Sequence, residues 1–276
     1  MFLDADDMFE DYACEYMYNL AEEKNVDYVS GNYVMMDEFD KKREKPAFDT
    51  EVYGDFEIKL DDLSRSFMVM NSTLWNKIYR REFLNKNNIK FDVNPPSEDD
   101  YFTSLAYIKA NKGYYTSKVI CDYRLNPNST SNKCDEKYFV KQNDVYKTIY
   151  NSFKTNEKMG FYRYYYAKKS PYLMCKLIDS DIISITEKES ILKRLHWFFS
   201  LSDELMIVSA NKNLIPLYQD IKNKEYDEAL KKMEEIKQIR KKYSVFEKNR
   251  TCFPTLEQYK EMSKYDDKFE NNTIST

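Results

Sequence analysis

Two acidic clusters in the chain have the residue types and spacing to do chemistry. The first stands at its start, where Phe2-Leu3-Asp4-Ala5-Asp6-Asp7 runs from apolar residues straight into three carboxylates. In open α/β sheets ligands bind just beyond the carboxyl ends of strands. Carboxylates gathered there can hold a hard divalent cation against a diphosphate. The same residues would serve equally as acidic groups at the start of a following helix, where the helix dipole favours negative charge. Spacing alone leaves both readings open. The second cluster is Ser97-Glu98-Asp99-Asp100. Ser97 suits the N-cap of a helix running to about Ala110, with the three acidic residues in its first turn.

What is scarce narrows the chemistry further. Of 276 residues only four are Gly (31, 54, 113 and 160) and one is His, His196. Gly residues so far apart cannot build a phosphate-cradling loop, so neither a dinucleotide fingerprint nor a P-loop is present. The same scarcity disfavours an all-β protein made of tight hairpins. A single His excludes a His-cluster metal site and leaves little room for a Ser-His-Asp triad. Within Leu195-His196-Trp197-Phe198-Phe199 it reads as a packed side chain. Five Cys at irregular spacing, with no Cys-x-x-Cys, read as free thiols in a reducing compartment. No secretory leader and no long apolar run is visible, so nothing in the sequence spans a membrane. The net charge of −4 and the lack of a recognisable module argue against nucleic-acid binding. With 42% hydrophobic and 16% aromatic residues, the chain can bury a sizeable core.

Charge and texture both change near residue 134. Residues 1–134 hold 17 basic and 25 acidic residues, and residues 135–276 hold 26 and 22. The front half mixes strands and helices. Periodicity predicts a helix over 8–24 through Phe9, Ala13, Tyr16 and Leu20, strands over 27–34, 66–70 and 114–124, and short helices between Trp75 and Asn85. Residues 38–62 read as an exposed excursion. The back half reads as helices over 136–155, 159–179, 186–200, 213–222 and 225–242. In the last, Tyr226, Leu230, Met233 and Ile236 make the apolar stripe, and Glu228 and Lys232 form an i,i+4 pair. The expected division is therefore 1–134 and 135–276, with a frayed tail beyond about 262.

Four segments in order carry a resemblance: Phe2-Leu3-Asp4-Ala5-Asp6-Asp7; Asn71-Ser72-Thr73-Leu74-Trp75-Asn76-Lys77-Ile78-Tyr79-Arg80-Arg81-Glu82-Phe83-Leu84; Ser97-Glu98-Asp99-Asp100-Tyr101-Phe102; and Tyr123-Arg124 followed by Asn128-Ser129. Together they resemble family 2 glycosyltransferases of the GT-A fold, over roughly the first half of the chain. The resemblance implies an α/β, partial GT-A domain followed by an all-α region. It also implies transfer of a sugar from a nucleotide-sugar donor to a cell-surface glycan or lipid-linked acceptor, in the cytoplasm or at the inner membrane face. On that footing Asp4 and Asp6 match the Asp-x-Asp element that binds Mg²⁺ or Mn²⁺ on the donor diphosphate. Asp99 matches the catalytic base of inverting members, and Glu98 contacts the acceptor or orients that base. Arg124 matches a basic residue near the diphosphate, and Trp75, Lys77 and Ser129 belong to the substrate-binding set. For Trp75 a plain core position is the alternative, and for Lys77 a plain surface one. By the same comparison roughly 90 residues of a mononucleotide-binding half precede the matching point in the family. Weak or absent donor binding by this chain alone is the corresponding expectation.

A different class of reading is a non-catalytic helical interaction module, in which residues 135–276 bind a partner or a second copy of the chain and the front half is a relic of a glycosyltransferase. A basic face on the last helix (Lys231, Lys232, Lys237, Arg240, Lys241 and Lys242) raises membrane-surface binding. Glu228, Glu234 and Glu235 interrupt that face, so a solvated helix is the better reading.

Overall fold

The computed structural model describes residues 1–37, 39–42, 46–48, 50, 54–58, 66, 69–91, 97–125, 134–201 and 214–242. The chain divides into two compact units, Met1–Asn132 and Lys133–Thr276.

The first unit is built on a five-stranded mixed sheet. Its strands are β1 (Met8–Phe9), β2 (Tyr28–Met36), β3 (Phe56–Ile58), β4 (Lys77–Tyr79) and β5 (Gly113–Arg124). The two long strands, β2 and β5, run parallel at its centre, and β4 pairs antiparallel with β2. On its other side β5 pairs with β3 near its start and with β1 near its end. Its helices among the described residues include α1 (Ala13–Lys24), α2 (Arg81–Lys86) and α3 (Glu98–Lys109). Val29, Ile120 and Cys121 of the sheet, together with Trp75, are buried against Ala13, Met17 and Leu20 of α1. These aliphatic, β-branched and aromatic side chains suit a pleated, buried surface. Helix α1 ends where Asn25 turns into the left-handed region (φ 49°), its N–H meeting the carbonyls of Ala21 and Glu22.

The parallel ladder is irregular. Gly31 faces Thr116 but Asn32 faces Val119, so Ser117 and Lys118 of β5 bulge out of register. Asn32 fills the gap. It is buried, donates to the Phe48 carbonyl at 2.8 Å and accepts the Phe48 N–H at 3.1 Å. Asp55 binds the other side of the bulge, accepting from the Ser117 N–H at 2.8 Å and the Thr116 hydroxyl at 3.1 Å.

Several elements differ from the sequence reading. Met8 and Phe9 form β1 instead of opening a helix, and α1 buries Ala13, Met17 and Leu20 where the sequence stripe had Tyr16. An edge pairing with Asp122 and Cys121 captures that dipeptide before the helix can begin. Ser66 and Val69 are helical, with the Met70 N–H on the Ser66 carbonyl at 3.0 Å, where a strand over 66–70 was expected. An apolar run of five residues carries no period that separates the two states. Lys77–Tyr79 is a strand before the short helix, because Asn76 and Gly31 exchange hydrogen bonds and draw the segment onto β2. The excursion over 38–62 contains β3.

The second unit is helical: α4 (Glu136–Thr155), α5 (Met159–Asp179), α6 (Ile185–Arg194), α7 (His196–Phe199), α8 (Ile215–Lys222) and α9 (Tyr226–Arg240). Asp135 caps α4 by accepting the Tyr138 N–H at 2.9 Å, and Ser184 with Glu187 forms a capping box on α6. The core is aromatic. Tyr146 packs on Phe198 at 4.7 Å and Tyr150 on Tyr162 at 5.0 Å between ring centres. His196 is half-buried, within hydrogen-bonding distance of Ser200 at 3.2 Å and Tyr226 at 3.3 Å. The basic residues of α9 are used within the unit. Arg240 grips Asp179 with two hydrogen bonds of 2.9 and 2.7 Å, Lys237 pairs with Asp181 at 2.7 Å, and Lys232 pairs with Asp220. Lys232 therefore does not form the expected pair with Glu228, which meets Lys231 at 2.7 Å instead. Met233 of the expected stripe is buried, whereas Tyr226, Leu230 and Ile236 are half-buried. The described Cys residues, 14, 121, 134 and 175, are free thiols, and Cys252 lies outside the described residues. Among the described residues no helix is long and apolar enough to cross a membrane.

Gly113 begins β5 directly over the ring of Tyr28. A Cβ there would lie 2.4 Å from that ring, which is itself packed against Tyr79 and Tyr107. Gly113→Ala is expected to destabilise the protein by about 1–3 kcal/mol through overpacking, read as a lower midpoint in urea with an unchanged slope.

Candidate functional site

Because β2 and β5 are parallel and in register at Met36 and Arg124, their carboxyl ends lie together. The acidic turn 4–7 is fastened there by Asp7 and Arg124. Asp7 is buried (6% exposed) and its Oδ1 accepts the Arg124 backbone N–H at 2.8 Å. The Asp7 N–H closes the turn onto the Asp4 carbonyl at 3.2 Å. The Arg124 side chain folds back on the same turn, with Nε donating to the Asp6 carbonyl at 3.0 Å. Its terminal nitrogens reach the turn after β2, at the Asp37 carbonyl (3.3 Å) and the Asp40 carboxylate (2.6 Å). Every guanidinium nitrogen thus has a protein partner, and one residue ties three segments. Asp4 and Asp6 are left exposed on the turn.

The second cluster faces the first. Ser97 occupies the position before α3 but does not cap it. Its backbone is in the left-handed region (φ 76°) and its side chain makes no capping bond. A non-Gly residue held there costs of order 1–3 kcal/mol, a form of strain that recurs at functional sites. Glu98 and Asp99 then open the helix, and Asp100 is buried behind them. The Asp99 carboxyl is pushed up to about 7, chiefly by burial, then by the charges of Glu98, Asp4 and Asp100, with Lys77 opposing. Asp4 is raised in turn by burial, Asp6 and Glu98. Asp7 is pushed up to about 6, by burial first and then by Asp4 and Asp6, against its hydrogen bond from Arg124. The carboxylates of the two clusters therefore repel one another.

Lys77 and Trp75 stand behind that space. Lys77 is fully buried, which corrects the surface reading. Its ammonium donates to Thr73 O at 2.6 Å, Asn71 Oδ1 at 2.5 Å and Asn76 Oδ1 at 2.8 Å. These acceptors replace water around the charge, as a buried ammonium requires. Asn71, Thr73 and Asn76 had no assigned role in the sequence reading, and the signal for them was a run of short polar residues around a lysine. Trp75 is a core residue. Its ring stacks on Tyr123 at 5.0 Å and 12°, and meets Tyr33 edge-on at 4.7 Å. The Tyr123 hydroxyl is raised by burial and by Asp7, Asp6 and Asp4, so Trp75 backs a ring that reaches the acidic turn. Ser129 lies outside the described residues.

Among the described residues, no three His, Cys, Asp or Glu side chains converge into a metal cage. A pair of exposed carboxylates, Asp4 and Asp6, suits a cation such as Mg²⁺ that takes its remaining ligands from phosphate and water. One oxygen of Asp7 is buried without a hydrogen bond among the described residues. The repulsion that raises Asp4, Asp7 and Asp99 is of the kind a nearby cation relieves. On these grounds the residues present fit a divalent cation.

Over 86% of its length the chain superposes on the crystal structure of Staphylococcus aureus TarS 1–349 in complex with UDP-GlcNAc, with TM-score 0.61, 17% identity and 67% of that chain covered. The fold is that of the TarS glycosyltransferase. A further crystal structure of TarS 1–349 gives TM-score 0.62, with 17% identity and 66% of that chain covered. In sequence, the chain is 29% identical over 166 residues to the poly(ribitol-phosphate) β-N-acetylglucosaminyltransferase TarP of Staphylococcus aureus strain N315, covering 57% of this chain and 49% of TarP. It is 26% identical over 150 residues to the glycosyltransferase GlyA of Streptococcus pneumoniae serotype 4, covering 50% of this chain and 20% of GlyA. The matched region thus spans half or less of these curated relatives. No protein-family model matches the chain.

A carboxyl held above its ordinary 3.8 carries more protons in the folded than in the unfolded chain up to about pH 7, so its contribution to stability falls as pH rises through that window. Asp99→Asn removes this penalty. The variant is expected to melt roughly 3 °C above the parent at pH 8, with the gap narrowing at pH 5, in thermal unfolding followed by circular dichroism.

Proposed function

We propose that the chain is a family 2-like, inverting glycosyltransferase that moves a sugar from a nucleotide-sugar donor onto a cell-surface glycan or lipid-linked acceptor. The observation that carries this reading is the Asp99 carboxyl, raised to about 7 and facing a turn of exposed carboxylates at the joint end of two parallel strands. A base works best when its pKa lies near the working pH. In the proposed reaction an acceptor hydroxyl oxygen bonds to the anomeric carbon, the bond from that carbon to the diphosphate breaks, and the hydroxyl proton passes to Asp99. Glu98, next to Asp99, raises that base and offers a second hydrogen-bond acceptor to the incoming hydroxyl. A divalent cation, Mg²⁺ or Mn²⁺, held by Asp4 and Asp6 would stabilise charge on the leaving diphosphate. Arg124 keeps Asp6 in place through its carbonyl, with Asp7 fixing the other side of the turn. Lys77 limits the rise of Asp99 from behind, and Trp75 supports Tyr123.

The names of TarS and TarP make UDP-GlcNAc the donor to test first, with a poly(ribitol phosphate) acceptor, and a location in the cytoplasm or at the inner membrane face accords with such a donor. The purified chain is incubated with UDP-GlcNAc, Mn²⁺ and poly(ribitol phosphate), and UDP release and polymer labelling are measured. The rate should rise with pH as Asp99 ionises and then level off. Asp99→Asn should lower kcat by roughly 10²–10⁴-fold, the usual worth of a general base, without weakening UDP binding. Asp4→Asn combined with Asp6→Asn should abolish the Mn²⁺ dependence of UDP binding in calorimetry. An unchanged rate in Asp99→Asn would remove Asp99 as base. Failure to release UDP or label polymer even when a nucleotide-binding half of the family is fused upstream of Met1 would overturn the transferase reading.

A further inference from the structure

One guanidinium nitrogen of Arg124 is held differently from the other two. Nε and Nη1 donate to backbone carbonyls, of Asp6 at 3.0 Å and of Asp37 at 3.3 Å. Nη2 donates to a side chain, the Asp40 carboxylate, at 2.6 Å. That carboxylate is 68% exposed, and an ion pair so open to water is weak. The turn that carries Asp40 does not depend on the pair. Asp37 braces it from within: its Oδ1 accepts the N–H groups of Phe39 at 2.9 Å and Lys41 at 3.0 Å, and its carbonyl accepts the Asp40 N–H at 3.2 Å. The Asp37 N–H donates in turn to the Lys41 carbonyl at 3.1 Å. At the far side of the turn Lys42 is anchored on Asp122 at 2.6 Å and Glu10 at 3.0 Å. Asp40 can therefore release Arg124 while the turn keeps its shape.

Nη2 shares one planar group with Nε, and Nε is bonded to the acidic turn. An anion on Nη2 thus lies against that turn. A diphosphate carries more charge than a carboxylate and offers more acceptor oxygens, and a guanidinium is the side chain best shaped to take them. We propose that Asp40 is a built-in competitor for the donor diphosphate: its carboxylate occupies the Arg124 nitrogen that a phosphate oxygen takes, and donor binding displaces it. Arg124 then has two duties. Its backbone N–H and Nε hold the acidic turn throughout, while Nη2 exchanges one anion for another. This inference rests on the reading of the site as one that binds a nucleotide-sugar donor, and it assigns a control on that binding.

The test is calorimetric titration of the intact chain with methylenediphosphonate in the presence of Mg²⁺. This probe is a diphosphate without a nucleoside, so it reads the phosphate site alone. Asp40 has its backbone in the left-handed region (φ 63°), which Asn tolerates as well as Asp, so Asp40→Asn removes the charge and spares the turn. Asp40→Asn should tighten binding about fivefold, the worth of an exposed ion pair. In an Arg124→Lys background, which lacks the fork, the gain should fall below about twofold. Loss of a negative charge acting only at a distance would give the same gain in both backgrounds. A second measurement needs no arginine variant. The carboxyl ¹³C signal of Asp40, assigned by its loss in Asp40→Asn, should move as the parent is saturated with diphosphonate. Unchanged affinity in Asp40→Asn, an equal gain in both backgrounds, an unmoved carboxyl signal, or no binding by parent and variant alike would overturn the competitor. If Asp40→Asn tightens diphosphonate binding but no sugar is transferred even with a nucleotide-binding half fused upstream, the transferase reading fails and the competitor stands. If sugar is transferred and Asp40→Asn leaves diphosphonate affinity unchanged, the competitor fails and the transferase reading stands.

Discussion

The Asp7–Arg124 clasp is the contact on which the geometry of the site depends. A turn of three acidic residues has no reason of its own to stay in place, since its side chains repel one another and its backbone is short. Here the last strand of the sheet ends in a residue that binds that turn twice, once through its backbone N–H and once through its guanidinium. The same guanidinium captures the turn after β2 at Asp37 and Asp40. Because β2 and β5 are parallel and end together, a single side chain can reach both. An arginine suits the task because its planar fork offers several donors in fixed directions, which an ammonium cannot reproduce.

Electrostatics then runs in one direction across the site. Asp4, Asp7 and Asp99 are each raised by burial and by carboxylates from the opposite cluster or their own. Lys77, buried and hydrogen-bonded to amide and carbonyl oxygens, opposes the rise of Asp99. Such an arrangement is costly for folding, because groups that prefer to be charged in water are held where charge is opposed. Strain at Ser97 adds to that cost.

How much of this was legible in the sequence depended on whether the signal was local. The helices over 136–155 and 159–179 are local in origin, and the structure has them at those positions. Met8–Phe9 and Lys77–Tyr79 went astray because partners distant in the chain decide them, Asp122 and Cys121 for the first and Gly31 for the second, whereas Ser66 and Val69 belong to an apolar run too short to show a period. The carboxylates themselves could be named from their motifs, but not the reason Asp4 feels Glu98, which lies in the folded arrangement of turn and helix. Lys77 shows the limit most clearly. A lysine in a charged chain reads as surface, and only the cluster of Asn71, Thr73 and Asn76 around it explains its burial.

The scarcity of Gly acquires a physical meaning in this setting. A Gly-rich loop holds phosphate with backbone N–H groups, and the sequence has no means to build one. The carboxyl ends of β2 and β5 are instead furnished with side chains: acids on the turn, an arginine that positions them, and aromatic rings beneath. Two of the four Gly serve packing. Gly31 admits Ile120, whose Cγ1 would be 2.6 Å from an added Cβ, and Gly113 admits the Tyr28 ring. Both lie on the central parallel pair, where close approach lets the strands finish side by side. Gly is thus spent on bringing the strands together, and the functional groups are left to residues whose charge and shape can be tuned by their neighbours.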